Sequence, residues 1–238
     1  MSVAVGMYDA ANGETFPLVV PDKVGLFGDE ARKGASIAIV GSGCCFLGDP
    51  YTILLRHAAV LAGFTVTNPG PGTCLEGVIV AGFSVIVRNN SLVNTVGSGC
   101  GGVALYFTGF DSQYAVVTGN IISHNRVGVA FVQLGGPASR FESNVITNNG
   151  QIGVEYDNAG GDLGGGPTGS AGGNTISCNG LHDLFLSGDV PVDAQNNFWD
   201  HNPPTIGFSY SDADIGGGGF SPSRVNMTGS QLAATPCP

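Results

Sequence analysis

Charged residues are scarce in this chain, and positively charged residues are the scarcest. Charged side chains make up 11% of the 238 residues, and eight Lys and Arg stand against 18 Asp and Glu, which gives a net charge of -10. Binding to nucleic acid or to an anionic membrane needs a basic patch, which this composition cannot supply. The composition therefore excludes both partners. It also disfavours polyanionic polysaccharides, whereas neutral polysaccharides remain open.

Long apolar runs and helical periodicity are missing too. No stretch approaches the roughly 18 apolar residues of a membrane-spanning helix, and no charged-then-apolar leader is present. The apolar runs are three to six residues long, and Gly or Asn interrupts most of them. This pattern is typical of short strands joined by tight turns. The pattern predicts a strand at Val3–Val5, and one hypothesis is that a leader and a first coil upstream have been removed.

The chain does contain a repeat, in which two Asn five residues apart bracket a short apolar run, as Asn120/Asn125 and Asn144/Asn149 do. The unit recurs from positions 63, 90, 120, 144, 174 and 197, which are separated by 27, 30, 24, 30 and 23 residues. Periods of about 20 to 50 residues indicate a solenoid or a similar array. Stacked turns would align the Asn side chains into internal hydrogen-bonded ladders. The predicted ladder residues are Asn90, Asn120, Asn144, Asn174 and Asn197 in the first turn, and Asn125, Asn149, Asn179 and Asn202 in the second.

These features predict an all-β, single parallel β-helix of about seven to eight coils over residues 1–238, with an irregular tail from about 216 to 238. Parallel strands joined by crossovers favour a right-handed coil. The repeat NxIxxN followed by xGVxF/Y resembles the right-handed parallel β-helix of the pectate-lyase-like superfamily. Residues 6–34, GMYDAANGETFPLVVPDKVGLFGDEARKG, are similar to the opening of the DUF1565 family. That resemblance implies the fold but no activity.

Catalytic members of the superfamily usually carry a basic proton abstractor beside clustered Asp for calcium, or a triad of Asp on successive coils. Here Arg88, Arg126 and Arg140 do not repeat at one coil position with acids beside them. The nearest DxD sequence, at 212–214, falls in the irregular end. A polyuronate lyase is therefore the least favoured function. No cofactor is predicted, and calcium stays open as an alternative that the pattern does not support.

One strand carries the candidate site. Strand alternation predicts that Glu155 and Asp157 project outward on the same face, with Cα atoms roughly 6–7 Å apart. That spacing is near the one an inverting glycosidase needs, although two solvated acids on an exposed sheet would look the same. Tyr106 and Phe185, predicted on flanking coils of this face, could stack on a sugar ring. Asp183, just before the next strand, is a third acid–base candidate.

The six cysteines suggest one disulfide. Cys74 and Cys100 lie 11 and 10 residues after the repeat starts at 63 and 90, so they could face each other on adjacent coils. Buried free thiols are the alternative, because free Cys is often buried. No CxxC or CxxH spacing supports a zinc site.

The function predicted first is a non-catalytic extracellular or cell-surface β-helix with a structural or adhesive role. Its opening strand, Val3 to Met7, is apolar and uncharged, so we expect end-to-end self-association, which forms filaments when the contacts do not close. The alternative is a carbohydrate-binding module or weak glycoside hydrolase that acts on a neutral polysaccharide through the Glu155 face. The predicted partners are therefore a second copy of the chain or a polysaccharide.

Overall fold

The chain coils into a right-handed parallel β-helix, as predicted. The structure, a computed structural model, describes residues 1–97, 101–108, 114–132, 139–207, 213–235 and 237. Within those residues the chain forms 26 short strands, which we assign to three sheets. Each full coil contributes one strand to sheet 1, then one to sheet 3, then one to sheet 2.

The strands of each sheet pair in parallel from the first coil to the last. Sheet 1 contains β1 (Gly6–Asp9), β4 (Ile37–Val40), β8 (Thr65–Thr67), β11 (Ser91–Val93), β14 (Ile121–Ser123), β17 (Val145–Thr147), β20 (Thr175–Ser177), β23 (Phe198–Trp199) and β26 (Gln231–Leu232). Sheet 2 contains β3 (Gly25–Phe27), β7 (Val60–Ala62), β10 (Ile86–Arg88), β13 (Val116–Thr118), β16 (Arg140–Glu142), β19 (Gly161–Gly164), β22 (Val192–Ala194) and β25 (Val225–Asn226). Sheet 3 contains β2 (Leu18–Val20), β6 (Asp49–Leu55), β9 (Glu76–Val80), β12 (Val103–Thr108), β15 (Val127–Val132), β18 (Ile152–Asp157), β21 (His182–Ser187) and β24 (Ala213–Gly218), and β5 (Gly43–Phe46) pairs antiparallel with β6.

Helical structure in the described residues is limited to three single turns of 3₁₀ helix, at Ala10–Asn12, Glu30–Arg32 and Pro222–Arg224. None of these turns approaches the length needed to cross a membrane. The tail is more regular than expected from its sequence, because β25 and β26 lie within it and pair with β22 and β23. The last coil therefore continues the solenoid beyond residue 216.

The core runs along the axis of the solenoid and is filled by side chains that alternate inward on all three sheets. On sheet 3 three aromatic rings stack coil over coil. The Phe107 and Phe131 centroids are 4.3 Å apart, and those of Phe131 and Tyr156 are 4.6 Å apart. These residues are at most 1% exposed. Since Tyr156 points inward, its neighbours Glu155 and Asp157 must point outward.

The Asn ladders form at both predicted turns. In the first ladder each Asn donates its backbone N–H and its Nδ2 to Oδ1 of the Asn on the next coil, at 2.9–3.1 Å, through Asn90, Asn120, Asn144, Asn174 and Asn197. The second ladder repeats this two-donor contact at 2.9–3.2 Å through Asn125, Asn149 and Asn179. All of these side chains are buried. The ladders therefore satisfy polar groups that would otherwise be costly inside the core.

The prediction for Asn202 is wrong. Residues 201–203 are exposed, so Asn202 does not return to the ladder position. Instead the backbone N–H and Nδ2 of Asn179 donate to Oδ1 of Asp183, at 3.3 and 2.8 Å. Asp183 holds the strand position that Gly153 holds one coil earlier, where an added Cβ would lie 2.7 Å from Nδ2 of Asn179. A side chain at Gly153 would therefore collide with the ladder, whereas the carboxylate of Asp183 accepts from Asn179 and ends it.

Candidate functional site

The outer face of sheet 3 gathers the residues that the sequence singled out. Strand pairing aligns Tyr106 with Ala130, Ala130 with Glu155, and Glu155 with Phe185. The four residues therefore form one row across β12, β15, β18 and β21. We call this row, together with Asp157 in the neighbouring row, the acidic face. The structure brings Glu155, Asp157, Tyr106 and Phe185 together as expected.

The floor of the acidic face is apolar. Val103, Val127 and Ala130 form a buried cluster, with Tyr106 and Ile152 packed against it. Because Ala130 ends at its methyl group, it leaves a low point between the larger side chains of Tyr106 and Glu155. The side chains of Tyr106, Glu155 and Phe185 are only partly buried, so all three remain accessible.

Two groups on this face, Glu155 and Tyr106, have raised pKa values. Burial, and then the neighbouring charge of Asp157, raises the pKa of Glu155 above its usual range. Asp157 itself accepts a hydrogen bond from Nδ2 of Asn158 at 3.0 Å. Burial also raises the pKa of Tyr106, and the carboxylates of Glu76 and Asp49 add to that effect. An acid of raised pKa can donate a hydrogen bond to a neutral ligand.

Glu76 is a further acid of this sheet that the sequence did not single out. It begins β9, in register with Val103, and is 7% exposed. Burial, assisted by Asp49, raises its pKa to about 8, and its Oε2 atom is buried without a hydrogen-bond partner. One sequence signal could have identified Glu76. It is an acid at a strand position that is occupied by Val103 and Val127 on the following two coils.

The structure does not bring Asp183 to the acidic face. Its carboxylate points into the solenoid, where it is 2% exposed and ends the second Asn ladder. It therefore cannot serve as an acid or base beside Glu155. Asp183 instead belongs to a second group of acids, which we call the C-terminal acid cluster, with Asp200 and Asp214. One carboxylate oxygen from each lies within 4.8 Å of the other two.

The C-terminal acid cluster is held by neighbouring turns. Asp214 accepts hydrogen bonds from the backbone N–H and hydroxyl of Thr205, both at 2.6 Å, and its Oδ2 lies 2.9 Å from Nδ1 of His201. Oδ2 of Asp200 accepts from the backbone N–H of Cys178 at 2.9 Å. Sequence reasoning missed Asp200 and placed Asp214 in an irregular end, because stacking of the last coils alone brings these residues to Asp183.

Disulfides appear at two places that the sequence did not predict. Cys178 is bonded to Cys237 across 59 residues, with a Cα–Cα distance of 5.2 Å, and Cys44 is paired with Cys45. The Cys178–Cys237 bond ties the end of the tail to the turn beside Asp200. Cys100 lies outside the described residues, so a bond between Cys74 and Cys100 stays a prediction.

The N-terminal end of the solenoid is apolar and open. Met1, Val5, Met7 and Val19 are 50–76% exposed there. A cavity of about 450 Å³ reaches from this end to the core residues Ile39 and Phe64. Among the described residues, the outer edges of β1 and β2 have no strand beside them, and β3 has only the bridge between Ser2 and Phe27.

Comparisons with known proteins identify the family but no activity. No curated protein and no solved structure matches the chain. A family described as "Protein of unknown function (DUF1565)" matches residues 1–206, which is most of the chain. The resemblance first noted in residues 6–34 thus extends over nearly all the coils, and the chain belongs to the DUF1565 family.

Proposed function

We propose that this protein is a non-catalytic β-helix of the cell exterior that adheres to a neutral polysaccharide through its acidic face. The observation that carries the proposal is the row in which Tyr106, Glu155 and Phe185 lie in register on successive strands. Solenoids use such extended faces to bind long ligands. The row runs along the solenoid axis, so an extended sugar chain would lie across the strands.

The dimensions of the row suit several sugar units. Strands in a sheet are about 4.8 Å apart, so Tyr106 and Phe185, three strands apart, have Cα atoms roughly 14 Å apart. Aromatic rings can cover the apolar faces of sugars, and acids between them can bond hydroxyl groups. The low point at Ala130 gives room for a ring. A net charge of -10 argues for a neutral ligand.

Two features favour binding over hydrolysis. Glu155 and Asp157 project from the same strand and to the same side, whereas a glycosidase needs its two carboxyl groups on either side of the scissile bond. In addition, no Lys or Arg of the described residues forms an ion pair with Glu155 or Asp157. The raised pKa of Glu155 does suit a general acid. The experiment must therefore distinguish polysaccharide binding from weak glycoside hydrolysis.

The experiment is a binding titration of the whole protein against a panel of neutral polysaccharides. We expect Tyr106→Ala and Phe185→Ala each to weaken binding by about tenfold, since loss of a central aromatic anchor typically costs more than 1 kcal/mol. Tyr114→Ala is the matched control, because Tyr114 is 64% exposed and lies outside the acidic face. Failure of every glycan to bind would overturn the proposal. Release of reducing sugar by the parent protein, abolished in Glu155→Gln, would replace binding with hydrolysis.

Location outside the cytoplasm is part of the proposal. The Cys178–Cys237 bond supports it, because disulfides persist in oxidising compartments and are rare in the cytosol. Fractionation of producing cells, with thiol trapping of the protein in each fraction, tests this. Recovery of the protein only in the cytoplasm with both thiols reduced would contradict it.

We also propose self-association through the N-terminal end. The open strand edges and the exposed side chains of Val5 and Met7 support this. At the other end Thr205–Gly207 covers β24, through bonds of 2.9 and 3.0 Å with Ile215, just as residues 1–3 cover β3. The outer edges of β25 and β26 have no described strand beside them. The exposed apolar side chains of Met1, Val5 and Met7 favour a closed pair that joins two N-terminal ends over a filament. Light scattering and electron microscopy over a range of concentrations distinguish a dimer from fibres, and a monomer throughout would reject both.

A further inference from the structure

The C-terminal acid cluster brings three carboxylates together at a largely buried site. Asp183 on β21 and Asp214 on β24 are 2% and 3% exposed, and the half-buried Asp200 follows β23. One oxygen from each carboxylate lies within 4.8 Å of the other two. Carboxylates this close repel one another strongly where water is excluded. Something with a positive charge is needed to keep all three ionised.

One oxygen of the cluster has no partner. Oδ1 of Asp183 accepts both hydrogen bonds from Asn179, but Oδ2 is buried and accepts none. The ladder fixes Oδ1, and the group of converging oxygens lies at this same carboxylate. Buried polar atoms in proteins are almost always satisfied, so an orphaned carboxylate oxygen beside two other acids points to a missing ligand.

The basic groups nearby do not fill that role. His201 lies against Asp214 at 2.9 Å, but its side chain is 60% exposed. The sulfurs of Cys178 and Cys237 are bonded to each other, so they offer no thiolate. Burial and the mutual repulsion of the acids raise the pKa of Asp183 and of Asp200. A proton shared between these two residues is thus the competing way to balance the charge.

We propose that Asp183, Asp200 and Asp214 bind one Ca²⁺ ion. An all-oxygen, anionic ligand set selects a hard cation rather than zinc or copper. Ca²⁺ accepts six to eight ligands in irregular geometry, so waters on the open side of Asp200 can complete its shell. Mg²⁺ demands a regular octahedron, which three carboxylates already held by hydrogen bonds from Asn179, Cys178 and Thr205 suit less well. The ion would join β21, β24 and the turn after β23, and so close the C-terminal end.

The test uses the full chain after dialysis against a chelator. Calcium binding is measured by calorimetry, and the melting temperature is measured with CaCl2, MgCl2 or EDTA at one pH. We expect one Ca²⁺ per chain and a higher melting temperature with CaCl2. We also expect at least tenfold weaker binding in Asp183→Asn, whose amide oxygen still accepts from Asn179. Asp189→Asn, at an exposed acid of the same end, should behave as the parent.

Three outcomes would overturn the proposal. No heat and no shift with either metal would mean that a shared proton balances the cluster. An unchanged response in Asp183→Asn, with its fold intact by circular dichroism, would put the ion elsewhere. A stronger effect of MgCl2 than of CaCl2 would reject calcium as the ligand.

Discussion

The two ends of this solenoid solve the same problem in different ways. Any β-helix ends in three unpaired strand edges and an uncovered core. At each end one strand edge is covered, β3 by residues 1–3 and β24 by Thr205–Gly207, and two edges stay open. The C-terminal end is further tied by the Cys178–Cys237 bond and by Asp183 at the end of a ladder. At the N-terminal end the chain presents exposed apolar side chains and open edges.

The difference shows why polarity matters in an Asn ladder. Each Asn donates toward the C-terminal end, so the last Asn of a ladder needs an acceptor beyond it. A carboxylate is the strongest acceptor available, and Asp183 provides one for Asn179. The first ladder has no such ending, and Nδ2 of Asn197 is buried without a partner. Closure at the C-terminal end is therefore built chiefly around the second ladder.

The largest loss of stability is expected from removal of the Cys178–Cys237 disulfide. Replacing both Cys178 and Cys237 by Ser should lower the free energy of unfolding by about 4 kcal/mol, the chain-entropy value for a loop of this length. Denaturant titration of the oxidised protein measures the loss. The control compares the parent and the variant under reducing conditions, where both lack every disulfide and should be equally stable. Equal stability of the variant and the oxidised parent would show that the C-terminal end closes without the bond.

The next largest loss of stability is expected from substitution of Asp183, which ends the second Asn ladder. Asp183→Ala removes the acceptor for both donors of Asn179, so it should cost about 2–4 kcal/mol in calcium-free buffer, given 1–3 kcal/mol for each buried group left unpaired. Asp183→Asn keeps the acceptor and should stay within about 1 kcal/mol of the parent protein. Thermal and denaturant unfolding compare the two. If the alanine and asparagine variants were equally stable, the ladder would not need an acceptor at its end.

The sequence was a better guide to the middle of the solenoid than to its ends. Asn120, Asn144 and Tyr156 each repeat the environment of a residue one coil away, so a local pattern predicts their place. At the end that repetition fails. Asn202 fits the template but leaves the ladder, whereas Asp183 takes its place and looks in sequence like an ordinary turn acid. Only the alignment of Asp183 with Gly153 on the neighbouring strand reveals that Asp183 ends the ladder.

The same reasoning applies to the candidate sites. Alternation along one strand was enough to put Glu155 and Asp157 on one face, and coil spacing put Tyr106 and Phe185 beside them. Burial is a different kind of property, because it depends on what covers a residue. Glu76 and the pairing of Cys178 with Cys237 therefore could not be read from the pattern, since stacked coils bring distant residues together.

The pH dependence of stability tests whether burial raises the pKa of Glu76 in sheet 3. Glu76 keeps its proton in the folded protein up to about pH 8, whereas its unfolded value is 4.5. Between these values the folded state binds more protons, so stability should fall as pH rises, by at most about 1.4 kcal/mol per pH unit. Glu76→Gln should flatten the profile measured by denaturant unfolding from pH 5 to 8. A parent protein whose stability rises over this range would contradict the assignment.

The smallest change in stability is expected from a substitution at the exposed N-terminal end of the solenoid. Val5 is 76% exposed, so Val5→Lys should change the free energy of unfolding by less than about 0.5 kcal/mol. It should nevertheless prevent the proposed dimer, measured by light scattering, because a charge at an open edge opposes strand pairing. Leu47→Lys is the control, since Leu47 is 83% exposed at the turn between β5 and β6. If both variants dimerise as the parent does, the open end is not the contact. If only Val5→Lys is monomeric, the apolar N-terminal end is the contact between two copies of the chain.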